Sequence, residues 1–170
     1  ATVIAILTTD AAIAPACLDG LLRAAMPTSF HSLVIDGDMS TNDTVLALAN
    51  GRAGNPEVTG PGADHDALAA AFRGLCEELA REIAADGEGA TKQLAVTVDG
   101  APSEEVARDL ACAVTGSALV KAAVFGADPN WGRVLATIGA RAGSQGHRID
   151  PMRAAVRIQG VEVFAGGAPR

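Results

Sequence analysis

Between Asp64 and Ala85 the large apolar residues Leu68, Phe72, Leu75, Leu79 and Ile83 recur every three or four positions. That spacing lays all five on one face of a helix, while Arg73, Glu77 and Arg81 fall four apart on another face, where opposite charges are neighbours. A helix with such an apolar stripe cannot stand alone in water. The stripe must lie against another layer of secondary structure.

The other segments indicate what that layer is. Val3 to Leu7 is a short apolar run with β-branched residues and reads as a buried strand starting directly after Thr2. Pro15 to Met26 carries Leu18, Leu21, Leu22 and Ala25 at helical spacing, with the proline tolerated in the first turn. Ser29 to Asp38 reads as a strand ending in acids, and Thr44 to Asn50 as an apolar strand or buried helix stopped by Asn50 and Gly51. RAGNPEVTGPGAD is the clearest loop, the glycines of DGEGATK end the long helix, and QLAVTVDG follows as a strand.

A further helix starts at Ser103, an N-cap followed by Glu104 and Glu105, and runs through Val106, Leu110 and Val114 to Gly116. SALVKAAVFGADPNWGRVLATIGARAG reads as a strand, a tight turn at Asp128-Pro129-Asn130, and a helix whose start holds Trp131 and Arg133. AAVRIQGVEVFAGGAPR reads as a two-stranded hairpin turning near Gln159 and Gly160. Strands and helices mix throughout without internal repeat, which predicts an α/β (α+β) layered sandwich, one domain over residues 1–170.

Composition narrows the function. A net charge of −7 with no basic cluster argues against a nucleic-acid partner, since that affinity rests on Lys and Arg displacing counterions. The apolar runs fall short of the roughly 20 residues a membrane span needs. VIAIL, followed so soon by Thr8, Thr9 and Asp10, does not make a secretory signal. Cys17, Cys76 and Cys112 are widely spaced among apolar helical residues with no nearby His, and read as free thiols in a reducing cytoplasm, without a metal site.

Three stretches carry possible chemistry. An N-terminal threonine at the head of a strand can serve as a nucleophile when its own freed amine acts as base, and the carbonyl attacked in self-cleavage would be that of Ala1. In VIDGDMSTNDT, Asp36 and Asp38 two apart would point the same way from a strand end, as metal ligands or as the pair of a HAD-like phosphatase. An EF-hand loop is ruled out by Thr41 and Ala47 at its sixth and twelfth positions. The competing reading is that Asp36, Asp38, Ser40, Thr41, Asn42 and Asp43 build side-chain-to-backbone turns that shape a loop. In DGEGATK, Glu88 between glycines either forms an ordinary exposed acidic turn or approaches a substrate amine unobstructed. In GADPNWGR, Trp131 packed at a helix start with Arg133 alongside is the structural alternative to a binding loop. His31, His65 and His147 sit apart and carry no assigned role.

Taken in order, ATVIAILTTDAAI, DGDMSTNDT, DGEGATK and SALVKAAVFGADPNWGRV resemble the β chain of the ornithine acetyltransferase (glutamate N-acetyltransferase, ArgJ) family of arginine biosynthesis, over nearly all of the chain. The resemblance implies a DmpA/ArgJ-like fold whose precursor cuts itself between Ala1 and Thr2. It implies that Thr2 carries the acetyl group from N-acetylornithine to glutamate, that some members also accept acetyl-CoA as donor, and that no cofactor or metal takes part. It further implies that Glu88 contacts the substrate amino group. The partner would be the α chain of the same precursor, which supplies the oxyanion donors, in a cytoplasmic α2β2 heterotetramer. Family β chains continue into a tail with a substrate-binding Asn and a Ser or Thr, so residues 1–170 are expected to be most of a β chain without that tail. The remaining alternatives are the Asp36/Asp38 phosphatase and a non-catalytic assembly fragment.

Overall fold

A computed structural model describes residues 2–170. The chain divides after Glu88 into two compact units. In the first, β1 (Ile4–Thr9) and β2 (Thr44–Ala49) pair in parallel, with Ile4 opposite Thr44 and Thr9 opposite Ala49. Between them in sequence lies α1 (Pro15–Ala25), with Pro15 in its first turn, and after them comes α2 (Ala63–Ala85).

Strand alternation sorts the sheet's side chains. Ala5 and Leu7 are the buried side chains of β1, and Leu7 joins Ile13, Leu18, Leu21, Phe72 and Cys76 in one core, with the half-buried Val45 and Ala47 of β2 packed against it. The opposite face of the sheet is apolar and open: Ile4 is 66% exposed, Ile6 58%, Leu46 46% and Leu48 56%.

The α2 stripe is rotated from its expected line. Phe72, Cys76 and Ala80 are its buried residues, with Leu68 and Leu79 packed beside the core, whereas Leu75 is left 42% exposed. Two of the buried residues, Cys76 and Ala80, are small, and the larger Leu75 is displaced to the rim. Glu77 and Arg81 form the expected pair at 3.6 Å.

The segment from Ser29 to Asp38 is not a strand. After α1 the chain makes two successive 3-10 turns, Met26–Thr28 and Phe30–Ser32, and then bends through Gly37, whose φ is +83°. Local bonds satisfy this backbone: Ser29 N–H donates to Met26 O, Ser32 N–H to Ser29 O and Leu33 N–H to Phe30 O. The buried Ser29 hydroxyl also donates to Ala25 O at 2.7 Å, tying the turn back onto the helix end. A peptide whose polar groups close on themselves has no need of a ladder partner.

The second unit holds α3 (Glu104–Gly116), α4 (Ala118–Phe125), α5 (Trp131–Gln145) and an antiparallel sheet of β3 (Ala155–Ile158), β4 (Val161–Ala165) and β5 (Ala168–Pro169). Ser103 caps α3 as expected, accepting from Val106 N–H. The hairpin turns on Gln159 and Gly160, both at positive φ, as a two-residue connection between right-twisted strands requires.

Two expectations fail here. The stretch after Ser117 is the helix α4 rather than a strand: Ser117 caps it by accepting from Val120 N–H, and the Lys92 ammonium closes its far end by donating to Val124 O at 2.7 Å and Phe125 O at 2.8 Å. A run that is apolar but for Lys121 sets almost no period, so its caps decide its state. Residues 94–99 belong to no helix or strand; they alternate between half-buried and exposed and join no sheet among the described residues.

Trp131, at the start of α5, stacks on Phe164 with centroids 5.0 Å apart, and Arg133 donates to Leu119 O at 2.8 Å. Helix α5 is also tied to α3 by charge. Arg141 Nε donates to both oxygens of Asp109, at 3.0 and 2.9 Å, and His147 Nε2 lies 3.2 Å from Asp109 Oδ2. The Arg141 hydrogen bond, with His147 adding to it, holds the Asp109 carboxyl below the usual carboxylate range against a smaller opposing effect of burial.

A carboxylate with a depressed folded pKa stabilises above its unfolded value, near 3.9, and loses that contribution as pH falls through the folded value. Asp109→Asn is therefore expected to lower the thermal midpoint at pH 7, with the gap from wild type closing below about pH 4. Thermal melts of both proteins from pH 3 to 8 check this.

Candidate active site

The register of the parallel pair places the STNDT loop at the head of β1. With Ile4 opposite Thr44, and Thr44 N–H donating to Val3 O at 2.9 Å, the residues just before β2 lie beside those just before β1. Asp43 uses both carboxylate oxygens here. Its Oδ1 accepts the Val3 N–H at 2.9 Å, and its Oδ2 accepts the Ser40 N–H at 3.2 Å.

Ser40 is held a second time. Its Oγ accepts the Asn42 N–H at 3.1 Å, closing a short turn. The same Oγ lies 2.7 Å from Thr2 Oγ1, a hydroxyl pair in which either atom can donate. Thr2 is exposed at this strand head, with a polar partner rather than hydrocarbon around its oxygen. The junction expected between Ala1 and Thr2 involves Ala1, which lies outside the described residues.

Asp36 and Asp38 do not form the expected pair at a strand end, because no strand is there. Asp36 Oδ1 accepts the Asp38 N–H at 3.0 Å, a local Asx turn in which the first acid serves the backbone of the second. Among the described residues no group of three or more His, Cys, Asp or Glu side chains is gathered as a metal ligand set.

Glu88 occupies an exposed turn with Gly89 at φ +70°, a conformation in which a Cβ would be strained. Among the described residues its carboxylate has no hydrogen-bond or ion-pair partner, so none joins it to Thr2. The loop at Asp128 to Trp131 is internally bonded: Asn130 Nδ2 donates to Asp128 Oδ2 at 2.9 Å, and Asn130 Oδ1 accepts from Arg133 N–H at 3.1 Å, capping α5.

The contact that residue-by-residue reading missed is Thr2 with Ser40. Its sequence signal is weak: Ser40 and Asp43 stand at the spacing of a local turn, and only the strand register shows what that turn faces.

A family model described as the ArgJ family matches residues 1–170. The chain belongs to the ArgJ family. It is 50% identical over 139 residues to the arginine biosynthesis bifunctional protein ArgJ of Lactococcus lactis subsp. lactis, covering 82% of this chain and 35% of that protein. To the protein of that name from Symbiobacterium thermophilum it is 48% identical over 169 residues, covering 99% of this chain and 41% of the relative. The chain thus spans about two-fifths or less of the length of these curated relatives. The crystal structure of the arginine biosynthesis bifunctional protein ArgJ from Bacillus halodurans superposes with a TM-score of 0.93 at 37% identity, over 99% of this chain and 78% of that one. The mixed α/β architecture is therefore that of an ArgJ protein. The family match lends the phosphatase alternative no support.

Asp43→Ala removes a charged acceptor from two backbone N–H groups. The expected result is a loss of about 1–3 kcal/mol in urea unfolding, with Asp43→Asn losing less because one acceptor oxygen remains. An unchanged midpoint in Asp43→Ala would show that the clamp contributes nothing.

Proposed function

We propose that this chain is the nucleophile-bearing β chain of a glutamate N-acetyltransferase that moves an acetyl group from N-acetylornithine to glutamate through an acetyl-Thr2 intermediate. The observation that carries the reading is the ArgJ family match across residues 1–170, which runs through a Thr2 whose hydroxyl is exposed and hydrogen-bonded at the head of β1. A threonine oxygen is a poor nucleophile until a base removes its proton, and the α-amine freed by a cut between Ala1 and Thr2 supplies that base.

The chemistry runs in two displacements. Thr2 Oγ1 attacks the acetyl carbonyl of N-acetylornithine, the amide C–N bond breaks, and ornithine leaves with the hydroxyl proton. The glutamate amine then attacks the ester, the C–Oγ1 bond breaks, and N-acetylglutamate leaves as Oγ1 regains a proton. No cofactor or metal is required, and acetyl-CoA is a second donor compatible with the same ester.

Glu88 takes the substrate-binding role. An exposed carboxylate between glycines suits a cationic amine, which it meets by a charge-assisted hydrogen bond. The partner is the α chain of the same precursor, which contributes the oxyanion donors to a cytoplasmic α2β2 assembly. The open face of Ile4, Ile6, Leu46 and Leu48 supports that reading, because parallel sheets ordinarily have both faces covered. No helix among the described residues is long and apolar enough to cross a membrane.

Mass spectrometry of the acid-quenched enzyme after mixing with N-acetylornithine is expected to find one acetyl adduct on Thr2, absent in Thr2→Ala, which also fails to cut its precursor. An active enzyme without that adduct would sink the proposal. Glu88→Gln is expected to raise the KM for N-acetylornithine about 10- to 100-fold, the worth of one charge-assisted hydrogen bond, with precursor cleavage intact.

A further inference from the structure

We infer that Ser40 is a catalytic residue whose hydroxyl donates to Thr2 Oγ1 as that oxygen gains or loses the acyl group. The inference rests on the reading of Thr2 as the acyl carrier and assigns a donor that it does not include.

The geometry is direct. The two hydroxyl oxygens are 2.7 Å apart, a full hydrogen bond across a sequence separation of 38 residues. In the free enzyme either hydroxyl can donate. Once Thr2 is acylated its oxygen has no hydrogen, so the bond persists only with Ser40 as donor.

That donor does little for the ester itself, whose linking oxygen shares its lone pairs with the carbonyl and accepts weakly. As the amine of the incoming substrate attacks and the C–Oγ1 bond breaks, the electron pair moves onto Oγ1, and the same donor then faces a developing alkoxide. An interaction stronger in the transition state than in the ground state lowers the barrier. The proton shed by the attacking amine ends on Oγ1, and Ser40 keeps its own.

The surroundings hold Ser40 in place for this. The Asn42 N–H donates to Ser40 Oγ at 3.1 Å, which fixes the oxygen and polarises its O–H. Asp43 binds the backbone N–H of Ser40 with one oxygen and that of Val3 with the other, so one carboxylate sets the spacing of the two hydroxyl-bearing segments. Asp43 is accordingly a positioning residue.

The two half-reactions are chemical reverses of each other, with similar amines, and pass through the same kind of transition state. Removing Ser40 slows both. Discharge slows more, because the free enzyme also loses its hydroxyl pair while the acyl-enzyme loses almost nothing.

The test uses the complete processed enzyme as wild type, Ser40→Ala and Ser40→Thr. Acetyl-Thr2 is formed with N-acetylornithine, then chased with glutamate, and the adduct is counted by mass spectrometry after acid quench. In Ser40→Ala, discharge is expected to slow on the order of 100-fold, with acetyl-Thr2 accumulating during turnover, the KM for glutamate little changed, and Ser40→Thr close to wild type. Discharge of Ser40→Ala at the wild-type rate would overturn the inference. A wild-type enzyme that forms no adduct would instead overturn the assignment of Thr2.

Self-cleavage passes through an ester on the same oxygen, so a Ser40→Ala precursor that stalls before cutting is expected to be split at Thr2 by hydroxylamine. A Ser40→Ala precursor that stalls without such an ester, beside a Ser40→Thr precursor that keeps the hydroxyl and stalls equally, would assign Ser40 to folding alone and overturn its catalytic role.

Discussion

The candidate site depends on a single carboxylate. Asp43 sits at the point where the loop before β2 meets the residues before β1, and each of its oxygens takes a backbone N–H from a different segment. A backbone donor near a strand head needs an acceptor, and a charged one is stronger than a neutral one. The parallel register brings Thr44 beside Ile4, and Asp43 extends that order beyond the ladder to the hydroxyls of Ser40 and Thr2.

Each unit, taken by itself, holds strands or strand-like stretches that are incompletely partnered among the described residues. A parallel sheet of two strands with an apolar outer face is rare in a finished domain, where helices or further strands cover both sides. The stretch 94–99 alternates in burial like a strand and has no ladder among the described residues. Both features fit a chain that spans only part of the length of its relatives.

What was legible in the sequence followed from physical period and capping. Helices α1, α2 and α3 show their spacing and their ends, with Pro15 and Ser103 marking starts. The Gln159-Gly160 turn shows itself because few residues tolerate positive φ there. Periodicity alone misplaced the α2 stripe, since Cys76 and Ala80 win the core by being small while Leu75 is left at the rim. It failed for α4, whose run from Ala118 to Phe125 is apolar but for Lys121, too little contrast to set a phase. It failed again for residues 29–38, where Ser29 and its neighbours satisfy the backbone locally.

The site divides the same way. Thr2, Glu88 and the STNDT stretch stand out as motifs, and the turn-forming role of Asp36, Ser40, Asn42 and Asp43 follows from their short polar side chains. The meeting of Thr2 with Ser40 does not, because it is a product of long-range register rather than of any local pattern.

The separation of β1 from β2 has a consequence for how the molecule matures. A slip of one residue in their pairing would carry Ser40 roughly 3.3 Å along the strand axis and turn β2's inward side chains to the other face. The two hydroxyls can meet only after α1 has crossed over and the second strand has locked in correct alignment. Any reaction at Thr2 that uses Ser40 is thereby closed to misaligned chains, so the chemistry doubles as an inspection of the fold that carries it.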